Sequence, residues 1–328
     1  MFKVIAIIKP MNYSQPSKII KPLIIGAGWL GSPLAISLKK SGYDVIATKQ
    51  NHESILKSPQ YLQEIPLFPF SQQDLWRFQQ EKSLENDTFL QNIFESRQVI
   101  ITIPPSAFIK RTAEETIEDT ATNRSLTYTE MILGTARLAE QYGAREIIYT
   151  SSTSVYGNSS GIIHEELPAM AQTASAKAIR EVEIALESSL TIPVIILRLA
   201  GLIGNGRHPV YPLSGRDNIR APRDAINLLH ITDLINAIHA LLQREIMPGH
   251  FEIYNLVTPT HPNRESYYHA VARRLNLPLP QFETAKPLLK RIIDGGKITE
   301  MGDFSYQMLD LVNVPLEILE PLNAPETL

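Results

Sequence analysis

The run Gly26-Ala27-Gly28-Trp29-Leu30-Gly31 sets three glycines at the spacing G-x-G-x-x-G. The chemistry that spacing serves is phosphate binding by the main chain. The first glycine permits a tight turn, the second lets a diphosphate approach the backbone, and the third lets the following helix pack closely on a sheet. Free N–H groups and the positive end of the helix dipole then face the anion. The context fits, because the motif closes the apolar run Pro22–Ile25 and opens a stretch with Leu30, Leu34 and Leu38 four apart, one stripe of an amphipathic helix. Pro33 stands early in that helix, where a missing N–H costs little, and Gly42 after Lys39 and Lys40 ends it. The expected ligand is a dinucleotide held at Gly26, Gly28, Trp29, Leu30 and Gly31.

The tip of the second strand separates the two nicotinamide dinucleotides. An acid there accepts from the ribose hydroxyls of NAD. This chain reads Val45-Ile46-Ala47-Thr48-Lys49-Gln50-Asn51, with no acid at the tip. Lys49 lies 23 positions after Gly26, near the expected offset of about 20. A cation there pairs with a 2′-phosphate, and Thr48 and Asn51 can add hydrogen bonds. A charge-assisted bond is worth roughly 1.5–3 kcal/mol, so NADP(H) is the expected cofactor.

These residues need a frame that holds them. Strand-like runs at Pro22–Ile25, Asp44–Thr48, Gln98–Ile103, Glu146–Ser151 and Val194–Leu199 alternate with helical patterns at Leu30–Lys40, Thr129–Tyr142 and Ala174–Ser188. Such alternation implies an α/β fold, a doubly wound parallel Rossmann sheet with helices on both faces. After Gly201 proline and glycine become frequent; then Thr232 or Asp233 can cap a helix to Gln243, followed by a strand at Phe251–Val257 and a helix at Arg264–Leu275. The expected division is an N-terminal extension 1–17, a dinucleotide-binding domain 18–200, and a C-terminal part 201–328 that adds a sheet strand and a smaller substrate-side lobe. The extension reads equally as an extra edge strand or as disorder.

The totals narrow the class. Of 328 residues, 44% are hydrophobic and 20% charged, enough for a large packed core. A net charge of -3 offers no nucleic-acid surface. The absence of cysteine removes thiolate nucleophiles, disulfides and Cys-ligated metals, and the histidines show no metal-ligand spacing. No apolar run approaches the roughly 18 residues of a membrane span. Val4–Ile8 is apolar but lacks a signal-peptide cleavage pattern, so a cytoplasmic protein is expected.

Three further segments carry a family resemblance. Ser151-Ser152-Thr153-Ser154-Val155-Tyr156-Gly157 resembles the SSxxVYG segment of extended short-chain dehydrogenases/reductases. The run from Arg198 to Arg207 resembles their RxxxxYGPGR loop, and His230-Ile231-Thr232-Asp233 is similar to their HVDD segment. Order and spacing match from about Lys18 to Leu279. The G-x-G-x-x-G form of the turn points to an atypical branch, the NAD-dependent epimerase/dehydratase or nucleoside-diphosphate-sugar epimerase-like proteins. The resemblance implies hydride chemistry, reduction or epimerisation, on a hydroxylated substrate such as a nucleotide sugar. It implies that Ser152 polarises the substrate oxygen, that Ile103 and Pro104 lie beside the cofactor, and that a homodimer forms through the helices at Thr129–Tyr142 and Ala174–Ser188.

The chain departs from that family at one decisive point. The family's tyrosine and lysine, spaced YxxxK, are missing. Anchoring on Lys177 as the ribose-holding lysine puts Thr173 in the tyrosine slot; anchoring on Glu183 puts Ser175 and Ile179 in the two slots. A neutral Ser or Thr hydroxyl has far too high a pKa to replace the tyrosine as a base. Tyr156 or His164 could supply an acid/base from a neighbouring loop, and Arg207 and Arg223 could clamp an anionic substrate. Two readings follow: an atypical oxidoreductase or epimerase using Ser152 and Lys177, or a catalytically silent NADP(H) sensor that reports to a partner.

Overall fold

Four consecutive apolar residues with no exposed face need cover on both sides, and Pro22–Ile25 receives it as β1, near the middle of a seven-stranded sheet. In the computed structural model, which describes residues 20–80, 84–109, 126–244, 247–284 and 291–314, the other strands of this sheet are β2 (Ile46–Lys49), β3 (Leu67–Pro69), β4 (Gln98–Ile101), β5 (Glu146–Ser152), β7 (Val194–Leu199) and β10 (Phe251–Leu256). Their order is β10-β7-β5-β4-β1-β2-β3, and every pairing is parallel. The extension 1–17 lies outside the described residues. Parallel strands buried on both faces read as continuous apolar runs, which is why β1, β4 and β7 are easy to see in the sequence. β3 gives no strand signal in the sequence because Pro66 precedes it and Pro69 is its last residue; proline is tolerated there since β3 is an edge strand.

The helices are α1 (Gly31–Lys40), α2 (His52–Leu56), α3 (Gln72–Gln80), α4 (Leu84–Phe94), α5 (Ser106–Ile109), α6 (Tyr128–Gln141), α7 (Ala174–Ser189), α8 (Val210–Leu213), α9 (Ile231–Gln243) and α10 (Arg264–Arg274). Two short parallel pairs lie apart from the main sheet: β6 (Gly161–Ile163) with β11 (Arg291–Ile293), and β8 (Gly201–Ile203) with β9 (Leu228–His230). The main core runs along both faces of the sheet. A second cluster, with Ile203, Val210, Ile226, Tyr267, Tyr268 and Val271 among its members, packs α8 and α10 together beyond the carboxyl ends of the strands.

One helix start differs from expectation. The cap of α9 is His230, whose Nδ1 accepts from the Thr232 N–H at 3.2 Å. Asp233 is buried, and its two oxygens accept from the N–H groups of Gln307 (2.8 Å) and Met308 (3.1 Å). The acid that looked like a helix cap instead anchors the C-terminal segment. No helix among the described residues is long and apolar enough to cross a membrane.

The strand order reverses between β1 and β4. Ligands of open α/β sheets bind beyond the carboxyl ends of the strands at that point. The chain leaves β1 at Gly26 and β4 at Thr102, so the glycine turn sits at this crevice.

Candidate functional site

The glycine turn, at the end of β1, is held by residues at the ends of the two neighbouring strands. Thr48, at the end of β2, accepts from the Gly26 N–H through its hydroxyl (3.1 Å) and from the Ala27 N–H through its carbonyl (2.7 Å). Thr102, just past β4, donates its hydroxyl to the Gly26 carbonyl at 2.7 Å. Gly26 has φ +105, which L side chains rarely adopt. A Cβ on Gly31 would stand 2.2 Å from the Gly26 carbonyl oxygen, so the turn closes only with glycine there. A Cβ on Gly28 would meet nothing within 4 Å; that side of the turn is open. α1 begins at this opening with no side-chain cap. The N–H groups of Trp29, Leu30 and Gly31 find no acceptor among the described residues. Donors without partners beside open space fit a diphosphate.

The opening belongs to a cavity of about 1080 Å³, at the upper end of the range for ligand sites. Gly26, Gly28, Trp29, Leu30, Thr48, Lys49, Ile103, Pro104 and Ser152 all line it. The sequence therefore named residues that the fold brings together. Gly31 supports the turn from beneath. Lys49 is half-buried, has no ion pair among the described residues, and is held below the usual lysine range by burial. Asn51 is committed elsewhere: its Oδ1 accepts from the Ser54 N–H at 2.8 Å and caps α2. Sequence reasoning missed Ser54 and Ser71 at this end of the cavity, and Asp224, Asn227, Arg264 and Tyr268 at the other. No spacing marks Ser71, since its strand was not legible.

The family model of the NAD dependent epimerase/dehydratase family matches residues 23–256. The chain belongs to this family. Protein YeeZ of Escherichia coli (strain K12) is 33% identical over 306 residues, 90% of this chain and 99% of that protein. Among solved structures, a functionally unknown conserved protein from Silicibacter pomeroyi DSS is similar at TM-score 0.60 and 20% identity, over 91% of this chain and 97% of that one. The Bordetella bronchiseptica enzyme WbmG, solved in complex with NAD and UDP, is similar at TM-score 0.65 and 16% identity, over 90% and 92%.

For a member of the NAD-dependent epimerase/dehydratase family, the part of the cavity lined by β5 and α7 is unusual. Ser152 ends β5, and its Oγ accepts from the Ser154 N–H at 3.1 Å, which leaves its hydroxyl proton free to donate into the cavity. α7 presents Ser175 and Ile179 to the cavity, whereas Lys177 is exposed and outside the lining. The physical reason is helical phase. Residues 175, 179 and 183 share a face, and two positions along a helix turn a side chain by about 200°. Lys177 is therefore not brought to the site. Ile179, in the lysine slot of the alternative register, is buried.

The other acid/base candidates are also placed elsewhere. Tyr156 is fully buried; its hydroxyl donates to Asn255 Oδ1 and accepts from Arg198, both at 2.8 Å. Burial raises its pKa, with Arg198 opposing, so the phenol stays protonated. His164 pairs with Asp294 at 3.3 Å, outside the cavity lining. Arg223 is exposed and does not line the cavity, so it forms no clamp with Arg207. Beneath the floor, the Ser151 hydroxyl donates to Glu183 at 2.6 Å, and Glu183 holds Arg198 through two bonds of 3.0 and 2.9 Å. Among the described residues, no group of three His, Cys, Asp or Glu could hold a metal.

Proposed function

We propose that this protein is an NADP(H)-binding oxidoreductase or epimerase acting on a hydroxylated substrate, of which a nucleotide sugar is the leading class. The reading is carried by the uncapped N–H groups of Trp29, Leu30 and Gly31 beside a cavity that continues past Ser152. Gly28 and α1 would hold the pyrophosphate, Lys49 the 2′-phosphate, and Ile103 and Pro104 an apolar edge. The dinucleotide, when bound, supplies a hydride donor or acceptor. Ser152 would donate its hydroxyl to a substrate oxygen and orient it. The relative solved with NAD and UDP supports a nucleotide substrate. A homodimer through α6 and α7 belongs to the same proposal; Ile184 is an exposed apolar residue on α7.

A second reading has its own observation. With Ser175 and Ile179 facing the cavity and Lys177 outside it, α7 brings no tyrosine–lysine pair to the cavity among the described residues. A catalytically silent NADP(H) sensor would need the cofactor contacts alone.

Titration with NADPH and NADH, followed by nicotinamide fluorescence, tests the common part. Tighter binding of NADPH that falls about tenfold to a hundredfold in Lys49→Ala is expected, from one charge-assisted contact. Equal binding of the two dinucleotides sinks the NADP preference. A screen of hydroxylated and nucleotide-sugar substrates then separates the readings: turnover at the nicotinamide absorbance, lost in Ser152→Ala, supports the enzyme, and tight binding without turnover supports the sensor.

A further inference from the structure

Arg207 has a position that its sequence context does not suggest. Its guanidinium carbon lies 5.1 Å from the ring centroid of Trp29. Trp29 is part of the glycine turn, between Gly28 and Leu30. The indole Nε1–H donates to the carbonyl of Asn205 at 3.1 Å. The loop carrying Arg207 is thereby fastened to the glycine turn at two points, although 176 residues separate Trp29 from Asn205.

The loop itself is stiff. Gly204, Asn205 and Gly206 have φ values of +111, +45 and +73, and the N–H and C=O groups of Gly204 and Arg207 exchange two bonds of 3.0 Å. A Cβ on Gly204 would stand 2.7 Å from Ile231 and 2.9 Å from His230, so the base of the loop is pressed against the start of α9. Arg207 therefore leaves a rigid platform. It lines the cavity, is exposed, and has no carboxylate partner among the described residues. A cation–π contact with an indole does not use up the N–H donors of a guanidinium. The turn it packs against carries the unpartnered N–H groups of Trp29, Leu30 and Gly31.

We propose that Arg207 is a dinucleotide ligand rather than a substrate ligand: from its seat on Trp29 it reaches the pyrophosphate held at the start of α1. The proposal rests on the reading that the glycine turn holds a dinucleotide. Main-chain donors and a helix end supply partial charges only; a planar guanidinium supplies a full charge in a geometry that matches phosphate oxygens. The loop between β8 and α8 then belongs to the cofactor site, and the substrate end of the cavity is left to Asp224, Asn227, Arg264 and Tyr268.

Arg207→Met removes the charge and keeps an apolar stem against Trp29. Wild type, Arg207→Met and Lys49→Ala are titrated with NADPH, with NADH, and by calorimetry with adenosine 2′-phosphate, which lacks the pyrophosphate. Arg207→Met is expected to weaken NADPH and NADH alike, by about tenfold to a hundredfold, and to bind adenosine 2′-phosphate as wild type does. Lys49→Ala is expected to lose NADPH and adenosine 2′-phosphate affinity and to keep NADH. Retained fragment binding also shows that Arg207→Met is folded. If wild type binds NADPH and Arg207→Met binds both dinucleotides equally well, the clamp is overturned and the dinucleotide reading stands. If Arg207→Met loses only NADPH, or loses the fragment too, the pyrophosphate assignment is overturned. If wild type binds none of the three, the dinucleotide reading itself fails.

Discussion

Single atoms decide what the glycine turn can tolerate. Gly31 and Gly28 carry the same side chain for opposite reasons. A methyl on Gly31 has a backbone oxygen at 2.2 Å, while a methyl on Gly28 has open space. Gly31→Ala must push α1 off the turn, and overpacking of this kind costs about 1–3 kcal/mol. Gly28→Ala leaves the fold intact and fills the place where a diphosphate would approach. Thermal melting should therefore register Gly31→Ala as clearly destabilised and Gly28→Ala as near wild type, while NADPH titration should find both impaired. A Gly28→Ala protein with unchanged NADPH affinity would mean that the ligand does not approach the main chain at that residue. The six residues of the turn were legible because their spacing encodes a backbone shape. Arg207 was legible as a cation, but its partner was not: Trp29 lies far away in sequence, and no periodicity links the two.

Between elements, the deciding contact is the join of α7 to the sheet. Glu183 is fully buried, and it faces Ser151 on β5, Arg198 on β7 and Arg180 one turn away. Removing one member of a buried pair strands the other charge, at a cost of roughly 3–5 kcal/mol. Glu183→Ala is expected to lose that much in urea unfolding. Lys177→Ala, on the exposed face of the same helix, should stay within about 0.5 kcal/mol and leave NADPH affinity unchanged; a large effect of Lys177→Ala on cofactor binding would restore it to the site. The phase of α7 was available in principle. Ile179, Val182 and Leu186 are spaced three and four apart and all are buried, and Lys177 falls off that stripe. The family's lysine slot drew attention to the residue type over the stripe. Arg198 carried a second unread signal: a cation inside the apolar run Val194–Leu199 requires a buried acid opposite. Strand boundaries at β1 and β7 were legible because continuous apolar runs have sharp ends. The stretch from 52 to 96 was not, since its helices are short or weakly patterned and its strand is preceded by one proline and ends on another.

Across the whole molecule, the balance of buried titrating groups sets how stability responds to acid. His208, His230 and His239 are each buried, and desolvation lowers each pKa from 6.5 to about 4. Between about pH 6.5 and 4 the unfolded chain binds protons that these sites refuse, so stability falls as the pH falls through that window. Burial raises the pKa of Glu165 and Asp233, which works in the opposite direction, because the folded state then holds a proton more readily than the unfolded one. Backbone N–H bonds to both carboxylates limit that rise, whereas all three histidines are pushed far down, to about 4, so the histidines dominate. His230 makes the case specific. Its Nδ1 accepts from the Thr232 N–H, so the neutral ring carries its proton on Nε2, which is buried without a partner. A second proton must enter at Nδ1 and break the cap of α9. Asparagine caps a helix as well and does not titrate in this range. Urea midpoints at pH 7 and pH 5 should therefore be well separated for the wild type and closer together for His230→Asn, whatever its stability at pH 7. Equal separations in the two proteins would show that His230 takes up its proton without losing the cap, and would move the acid sensitivity to His208 and His239.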